Sequence, residues 1–506
     1  VNQIVDYQPK TDPYGHQRLV LEKSWSESSY GYLMEMGTGK SKVVIDNTCM
    51  LREKRGLKRM LIIAPKGTYA NWFYKEIPAH MPDRHRNTTI VHLWQGGNSR
   101  TELQRLPVLL RNDDTMKILI VNTEALSMSV KAMDFAAKFV KVGDCIVVVD
   151  ESSTIKNPKA IRTKKIIQLG RLAKWRRIAT GSPVTRSPLD LWAQFEFLDP
   201  GSLGYKSYFT FRAHFAIVEQ KEFGGRKVDI VVGHRNTDEL SRLVAKRAFV
   251  IRKEDCLDLP PKIYAPPRYV ALTSEQEKLY TELRDWTTAE IDNGKFVTAT
   301  QIMPRLLRLY QIICGHVVDE QGGVHDVPTN RLDELQSVTE ETTGRNIIWC
   351  NYRRDVDKVI ERLTKMGRRV VRYDGSCSDA QCEEAIYQFQ GRTGVVQNGQ
   401  VVGERICPEH LRADDFVGTP HKGGYGITLT AASTVIYYSH SYDLEKRLQS
   451  EDRPHRIGQT QSVLYIDLMA KGTIEESIIK ALERKEEFAN LIMDGPARIR
   501  NLLLGS

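Results

Sequence analysis

No apolar run in this sequence approaches the ~18 residues that a membrane span requires. Leu61–Ala64, Ile118–Val121 and Ile146–Val149 are typical of the runs present, and all are short. The opening residues, VNQIVDYQPK, lack a basic-then-apolar leader pattern, so a non-secreted protein is expected. Cysteine is sparse: the eight residues Cys49, Cys145, Cys256, Cys314, Cys350, Cys377, Cys382 and Cys407 are scattered through the chain. None forms a C-x2-C pair, and no second pair stands near Cys377 and Cys382 to complete a zinc site. Reduced thiols in a cytosolic protein are the expectation. No solenoid-type repeat is present. What remains is ordinary globular material, 41% apolar and 27% charged, which excludes global disorder and collagen-like or coiled-coil chains. At 506 residues there is room for about three units of ~150 residues and at least two cores. The 73 basic residues exceed the 63 acidic ones by ten, a surplus that suits a polyanionic partner without requiring one.

Short β-branched runs alternate with helical stretches in two sets. The first contains MLIIAP (60–65), MKILIVNT (116–123), CIVVVDES (145–152) and RRIATGSP (176–183). The second contains NIIWC (346–350), RVVRYDG (369–375), DDFVGTP (414–420), STVIYYS (433–439) and VLYIDLM (463–469). Such alternation predicts α/β units with parallel sheets covered on both faces, and a ligand beyond the carboxyl ends of the strands. Between the sets, 272–291 and 301–313 read as helices, with Pro304 a start or a kink. Residues 391–413 read as a surface insertion, and Thr473–Ile492 as a charged helix.

Met34-Glu35-Met36-Gly37-Thr38-Gly39-Lys40-Ser41 is the sharpest local signal. Its glycines let backbone N–H groups approach phosphate oxygens, and a helix starting near Lys40 would point its positive end at them. Lys40 would neutralise the β- and γ-phosphates of ATP, and Ser41 would offer its hydroxyl to Mg²⁺. The strict pattern wants Gly where this chain has Met34. The run Cys145–Val149 reads as a buried strand delivering Asp150, a Mg²⁺ holder, and Glu151, a general base for the attacking water. Alone, that acidic pair would equally suit a solvated strand end.

Further segments fall in one order that resembles the Swi/Snf family of helicase-like ATPases, in helicase superfamily two, over nearly the whole chain. Tyr14-Gly15-His16-Gln17 is similar to the family's adenine-reading segment, with Gln17 as its glutamine. MEMGTGKS is similar to its phosphate loop, which also lacks the strict first Gly. LIIAPKGTYANWFYKEI (61–77), with its Asn71-Trp72 pair, resembles motif Ia, and ILIVNTEAL (118–126) resembles motif Ib. DESSTIKN (150–157) matches motif II, with Ser152-Ser153 replacing the usual Ala-His. RIATGSPVTRSPLDLWAQFEFLDP (177–200) is similar to motif III, Ser182 standing for Thr. FVIRKEDCLDLPPK (249–262) resembles the segment closing the first lobe. YDGSCS (373–378) and KGGYGITLTAASTVIYY (422–438) resemble motifs IVa and V, and QSEDRPHRIGQ (449–459) motif VI.

The resemblance implies an α/β fold of two tandem RecA-like lobes: residues 1–255, a helical connector 256–335, a second lobe 336–480 and a helical tail 481–506. It implies ATP and Mg²⁺ as cofactors, with nucleotide contacts from Gln17, Met36, Gly37, Thr38, Gly39, Lys40, Ser41, Gly424, Gly426 and Gln449. Ser41 and Asp150 would hold the metal. Arg453 and Arg456 would act as arginine fingers, because guanidinium groups stabilise the charge on a transferring phosphoryl group. Without the motif series, those arginines would read as a surface ion-pair cluster with Glu451 and Asp452. Double-stranded DNA is the implied partner, bound without sequence preference through Pro65, Lys66, Asn122, Thr123, Lys156, Asn157, Gly375, Ser376 and Lys422. The stretch Arg162–Arg177, with seven Lys or Arg and no acid, suits either a helical DNA-facing patch or a solvated helix face.

A translocase that moves along duplex DNA and displaces bound proteins is the leading expectation. A strand-separating helicase and a non-hydrolysing DNA-binding scaffold are the alternatives. No extra pin or winged-helix domain is evident, and the nucleotide-site residues are intact. With no bromodomain-like or zinc-finger segment either, the length suggests a minimal monomeric form, as in bacterial or viral members, working in a bacterial or infected-cell cytoplasm.

Overall fold

A computed structural model describes residues 7–483 except 185–186, 224–225, 293–298, 320, 398–399, 424–425 and 442. The chain divides into two compact units close to residue 258.

The first unit carries a seven-stranded sheet of β1 (Ser29–Met34), β2 (Arg59–Ala64), β3 (Thr89–Leu93), β4 (Met116–Asn122), β5 (Cys145–Asp150), β6 (Trp175–Ala179) and β7 (Ala248–Ile251). Its order is β3-β4-β2-β5-β6-β1-β7, every pairing parallel. The continuous apolar runs are explained by burial on both faces. Met60, Ile62, Ile118, Ile120, Ile146 and Val148 pack on one side with Val43 and Val44. Leu61, Ile63, Leu119, Val121, Val147 and Val149 pack on the other with Phe139 and Phe195. The alternation follows from the two-residue period of a strand.

The second unit carries β8 (Lys262–Tyr264), β9 (Arg268–Val270), β10 (Arg345–Trp349), β11 (Val370–Tyr373), β12 (Asp415–Gly418), β13 (Ala432–Tyr437) and β14 (Val463–Ala470). They run β8-β14-β13-β10-β12-β11, with β9 also on β14, again all parallel. Ile347, Trp349, Phe416 and Val435 face one core, Ile348, Val417 and Ile436 the other. These two parallel-sheet units are the tandem RecA-like lobes expected from the sequence.

Three strands of the first sheet were not anticipated: β1, β3 and β7, whose sequences mix apolar with polar or aromatic residues. The connector supplies helices Ser274–Asp292 and Ala299–Ile313, and Pro304 lies inside the second rather than starting it. The expected boundary at 335/336 falls within helix Arg331–Glu341. The 391–413 insertion contains strands Arg392–Gln397 and Gln400–Ile406, which pair with each other. The terminal helix is described over Ile474–Glu483, and the rest of the expected tail lies outside the described residues. The eight cysteines are all free thiols. Among the described residues no helix is long and apolar enough to cross a membrane.

The basic stretch Arg162–Arg177 is not one helical surface. It is a helix, Ile161–Leu172, followed by β6. Arg177 is fully buried and donates to Asn47 Oδ1 (3.1 Å) and to the carbonyls of Ser24 (3.0 Å) and Glu27 (2.8 Å). A strand residue alternates inward, so this guanidinium satisfies orphan carbonyls below the sheet.

Candidate nucleotide site

Sheet register brings the first unit's motif ends to one edge. Tyr32 of β1 lies level with Ala179 of β6, and Ala179 with Asp150 of β5. The phosphate loop after Met34, Asp150-Glu151 and Thr180 therefore leave the same carboxyl edge. At roughly 4.8 Å per strand, β1 and β5 stand about 10 Å apart.

The loop feeds α1 (Lys40–Arg55), whose N-cap is Gly39, with φ of 85° and no side-chain cap. The helix N-terminus thus keeps backbone donors for an anion. Gly37 has φ of 83°. A Cβ on Gly39 would collide with the buried Gln17 Nε2, on a backbone already in the left-handed region, so this cradle requires glycine. Gln17 Nε2 donates to Thr38 O (3.0 Å), and its Oε1 accepts from Tyr14 N–H (3.0 Å). A ring nitrogen of His16 lies 2.8 Å from the same Thr38 oxygen. The glutamine is buried and braces the loop. Lys40 Nζ donates to Met34 O (2.9 Å) and Glu35 O (3.2 Å). Met36 is buried against Gly181, whose Cβ would meet Met36 Cγ at 2.8 Å. Gly39→Ala is expected to destabilise the first unit by about 1–2 kcal/mol, the left-handed cost for an L-residue, and also to weaken nucleotide binding. Gly56→Ala, at φ of 69° with nothing within 4 Å, should show the conformational cost alone; melting curves and ADP titrations separate the two.

Asp150 is the last residue of β5 and partly exposed. Its Oδ2 accepts from Trp72 Nε1–H (2.8 Å), and its Oδ1 from Glu151 N–H (3.1 Å). Burial holds this carboxyl above its ordinary value, while the Trp72 indole and the Lys40 ammonium oppose the rise and Glu76 adds to it. Glu151 follows in the left-handed region, φ 48° and ψ 61°, a conformation that costs a non-glycine residue about 1–3 kcal/mol and recurs at functional sites. The kink turns its carboxylate toward Thr180, whose Oγ1–H donates to Glu151 Oε2 (3.1 Å). Ser182 N–H in turn donates to Thr180 Oγ1 (3.2 Å). Ser152 is buried and its hydroxyl donates to Gln194 Oε1 (2.7 Å).

The residues present fit a Mg²⁺–nucleotide. One carboxylate at a strand end, one hydroxyl from Ser41 in the first turn of α1 and a glycine cradle are what Mg²⁺ needs when substrate phosphates and waters complete its shell. Among the described residues no cluster of three or more His, Cys, Asp or Glu side chains forms a protein-only metal cage.

In the second unit, Arg453 is buried, with Nε donating to Gln449 O (2.8 Å). Arg456 is partly exposed and donates to Ile427 O (2.9 Å) and Thr428 Oγ1 (3.0 Å). Among neighbouring acids, Glu451 pairs with Arg447 and Asp452 with Lys262. Gln449 is buried and its Nε2 donates to Glu445 Oε1 (3.1 Å). Gly426 has φ of 65°, and Gly424 lies outside the described residues.

The expected nucleic-acid residues also cluster at sheet edges. Ala64 is level with Asn122, so Pro65 and exposed Lys66 leave β2 beside Asn122 and Thr123. Asn122 Oδ1 caps the following helix through Ala125 N–H (2.7 Å), and buried Thr123 gives its hydroxyl to Glu124 Oε2 (3.0 Å). The Thr123 side chain is therefore committed to the protein. Lys156 is partly exposed; Asn157 is exposed, and its Oδ1 accepts from Lys159 N–H (2.9 Å). In the second unit, Trp349, Tyr373 and Gly418 are level, so exposed Gly375 and Ser376 and partly exposed Lys422 follow strand ends on the same carboxyl edge. Trp72, Thr180 and Glu35 were not among the expected site residues. Glu35 Oε2 accepts from Lys253 N–H (2.8 Å), beyond the end of β7. For Thr180 the signal was available, since it is the first residue after a strand.

The sequence matches two family models: the SNF2-related domain over residues 21–317 and the helicase conserved C-terminal domain over 329–458. It is 27% identical over 408 residues to human TATA-binding protein-associated factor 172, covering 70% of this chain and 21% of that protein. It is 25% identical to an uncharacterised ATP-dependent helicase of Mycoplasma genitalium, covering 92% of this chain and 40% of that one. The chain thus spans only about a fifth to two fifths of these relatives. Among solved structures, it is similar to the Sulfolobus solfataricus SWI2/SNF2 ATPase core in complex with dsDNA, at 23% identity and a TM-score of 0.42, covering 98% of this chain and 96% of that one. With more than half its length matched by the first model, the chain belongs to the SNF2-related family.

Proposed function

We propose that this protein hydrolyses ATP in response to duplex DNA and uses the cycle to translocate along it without separating the strands. The observation that carries the reading is the convergence of Lys40, Asp150, Glu151 and Thr180 at one carboxyl edge of a parallel sheet. Lys40 and the α1 N-terminus bind the phosphates. Ser41 and Asp150 hold Mg²⁺, which when bound screens the phosphate charge. Glu151, steadied by Thr180, orients and deprotonates the attacking water. Arg453 and Arg456 stabilise the charge that spreads over the transferring group. Lys66, Lys156 and Lys422 contact phosphates, so binding is independent of sequence and weakens with salt. DNA-bound proteins are the objects displaced, in the cytoplasm.

ATPase rate measured with duplex DNA, single-stranded DNA and RNA tests the reading, with Lys40→Ala as the control. The expected result is stimulation greatest with duplex and absent in the variant. Turnover with none of the ligands would leave only the scaffold alternative. Displacement of a triplex strand without unwinding of a fork is expected; unwinding without triplex displacement would favour a helicase.

A further inference from the structure

Trp72 belongs to the segment that follows β2, starts at the exposed Lys66 and ends beside Asp150. Thr68 N–H and Tyr69 N–H donate to Pro65 O (2.9 and 3.0 Å), closing the turn that presents Lys66. Helix Tyr69–Asn71 then widens into a single π-helical turn, Trp72–Glu76, before helix Ile77–His80. One-turn π-helices are rare in proteins and concentrate at functional sites, because the extra residue re-aims a side chain. Here the turn opens on Trp72, which is 1% exposed and reaches across from β2 to β5. A buried indole N–H needs an acceptor. Its acceptor is Asp150 Oδ2, at 2.8 Å, while Oδ1 takes the Glu151 N–H. Two donors from different elements therefore fix the plane of this carboxylate.

We propose that Trp72 is a positioning residue for the Mg²⁺ site: its indole N–H sets the orientation of the Asp150 carboxylate. The inference rests on the nucleotide reading above. Outer-shell donors to metal-binding groups hold those groups in geometry, and their loss typically costs about 10–100-fold in metal affinity. Without its donor, Asp150 would lose one of the two bonds that orient it. Phe73, next along the same turn, has no side-chain donor to offer, and Tyr74 is exposed, so the effect belongs to position 72.

The test uses the full chain with tryptophan 72 replaced by its benzothienyl isostere, which exchanges N–H for sulfur at nearly constant shape, and in parallel Trp72→Phe. Binding of a fluorescent ADP is titrated with Mg²⁺ and repeated in EDTA. The expected result is a Mg²⁺ half-saturation raised about 10-fold or more, with metal-free ADP affinity and the melting curve of the isostere unchanged. A Mg²⁺ titration of the isostere that overlays the unmodified protein would overturn the proposal, whatever Trp72→Phe does to folding. If the unmodified protein shows no DNA-stimulated turnover, the function proposed above fails, and the Mg²⁺ titration still decides the role of Trp72.

Discussion

Glu151→Gln is expected to lower DNA-stimulated ATP turnover by about 10²–10⁴-fold, the range for loss of a positioned general base, while nucleotide binding persists. Glutamine keeps the length of glutamate and an acceptor oxygen for Thr180, so the bond at 3.1 Å can survive. What disappears is the negative charge that accepts a proton from water. The left-handed backbone at φ 48° sharpens the expectation, since strain of this kind persists only where its surroundings over-determine it. Glu151→Gly should relieve the backbone and raise the melting temperature while removing turnover. That pairing of a stabilised fold with a dead enzyme would distinguish a catalytic Glu151 from one that merely ends a strand. Single-turnover hydrolysis and Mg²⁺–ADP binding measure the two arms.

The second large effect lies away from the nucleotide site. Arg331 and Glu475 are both fully buried in the second unit. Arg331 NH1 donates to Glu475 Oε1 (3.1 Å) and Leu468 O (3.2 Å), and NH2 donates to Glu475 Oε2. Glu475 also accepts from Tyr310 OH (3.1 Å) and Ala470 N–H (2.8 Å). The pair therefore ties helix Arg331–Glu341, helix Ala299–Ile313, the end of β14 and helix Ile474–Glu483 together. Burial by itself would lower the pKa of the Arg331 guanidinium, but Glu475 and its neighbours outweigh it and hold the group above its already high value, so it stays charged. Glu475→Ala strands that charge and is expected to cost about 3–5 kcal/mol, whereas replacing both partners, Arg331→Met with Glu475→Leu, should recover much of the loss. Guanidinium unfolding of the full chain, followed at the transition of the second unit, checks the cycle; equal destabilisation by the single and the double replacement would contradict it.

Much of this molecule was legible from residue order alone. Two α/β sets, their parallel strands and the phosphate loop follow from local pattern, because a strand buried on both faces must be a continuous apolar run and a phosphate cradle must be glycine-rich. Strand β1 escaped because serine, tyrosine and glycine dilute its apolar signal, and β7 because its four apolar residues stand between Lys246-Arg247 and Arg252-Lys253. The basic run Arg162–Arg177 misled because charge counts ignore direction. Arg177 points inward from a strand onto carbonyls of the 24–28 turn, which no linear count can register.

Residue chemistry by itself determined which groups are available: a lysine and glycines for phosphates, an Asp-Glu pair after a strand and paired arginines near residue 455. The tertiary structure alone decided which of them share a place and how each is held. Level registers across β5, β6 and β1 put Asp150, Thr180 and the phosphate loop on one edge. A backbone in the left-handed region gave Glu151 its direction, and a π-turn more than seventy residues upstream gave Asp150 its second donor. The physical reason is that hydrogen bonds act over about 3 Å in space and are indifferent to sequence separation, so a motif names its reagents and only the packed sheet sets the distances between them.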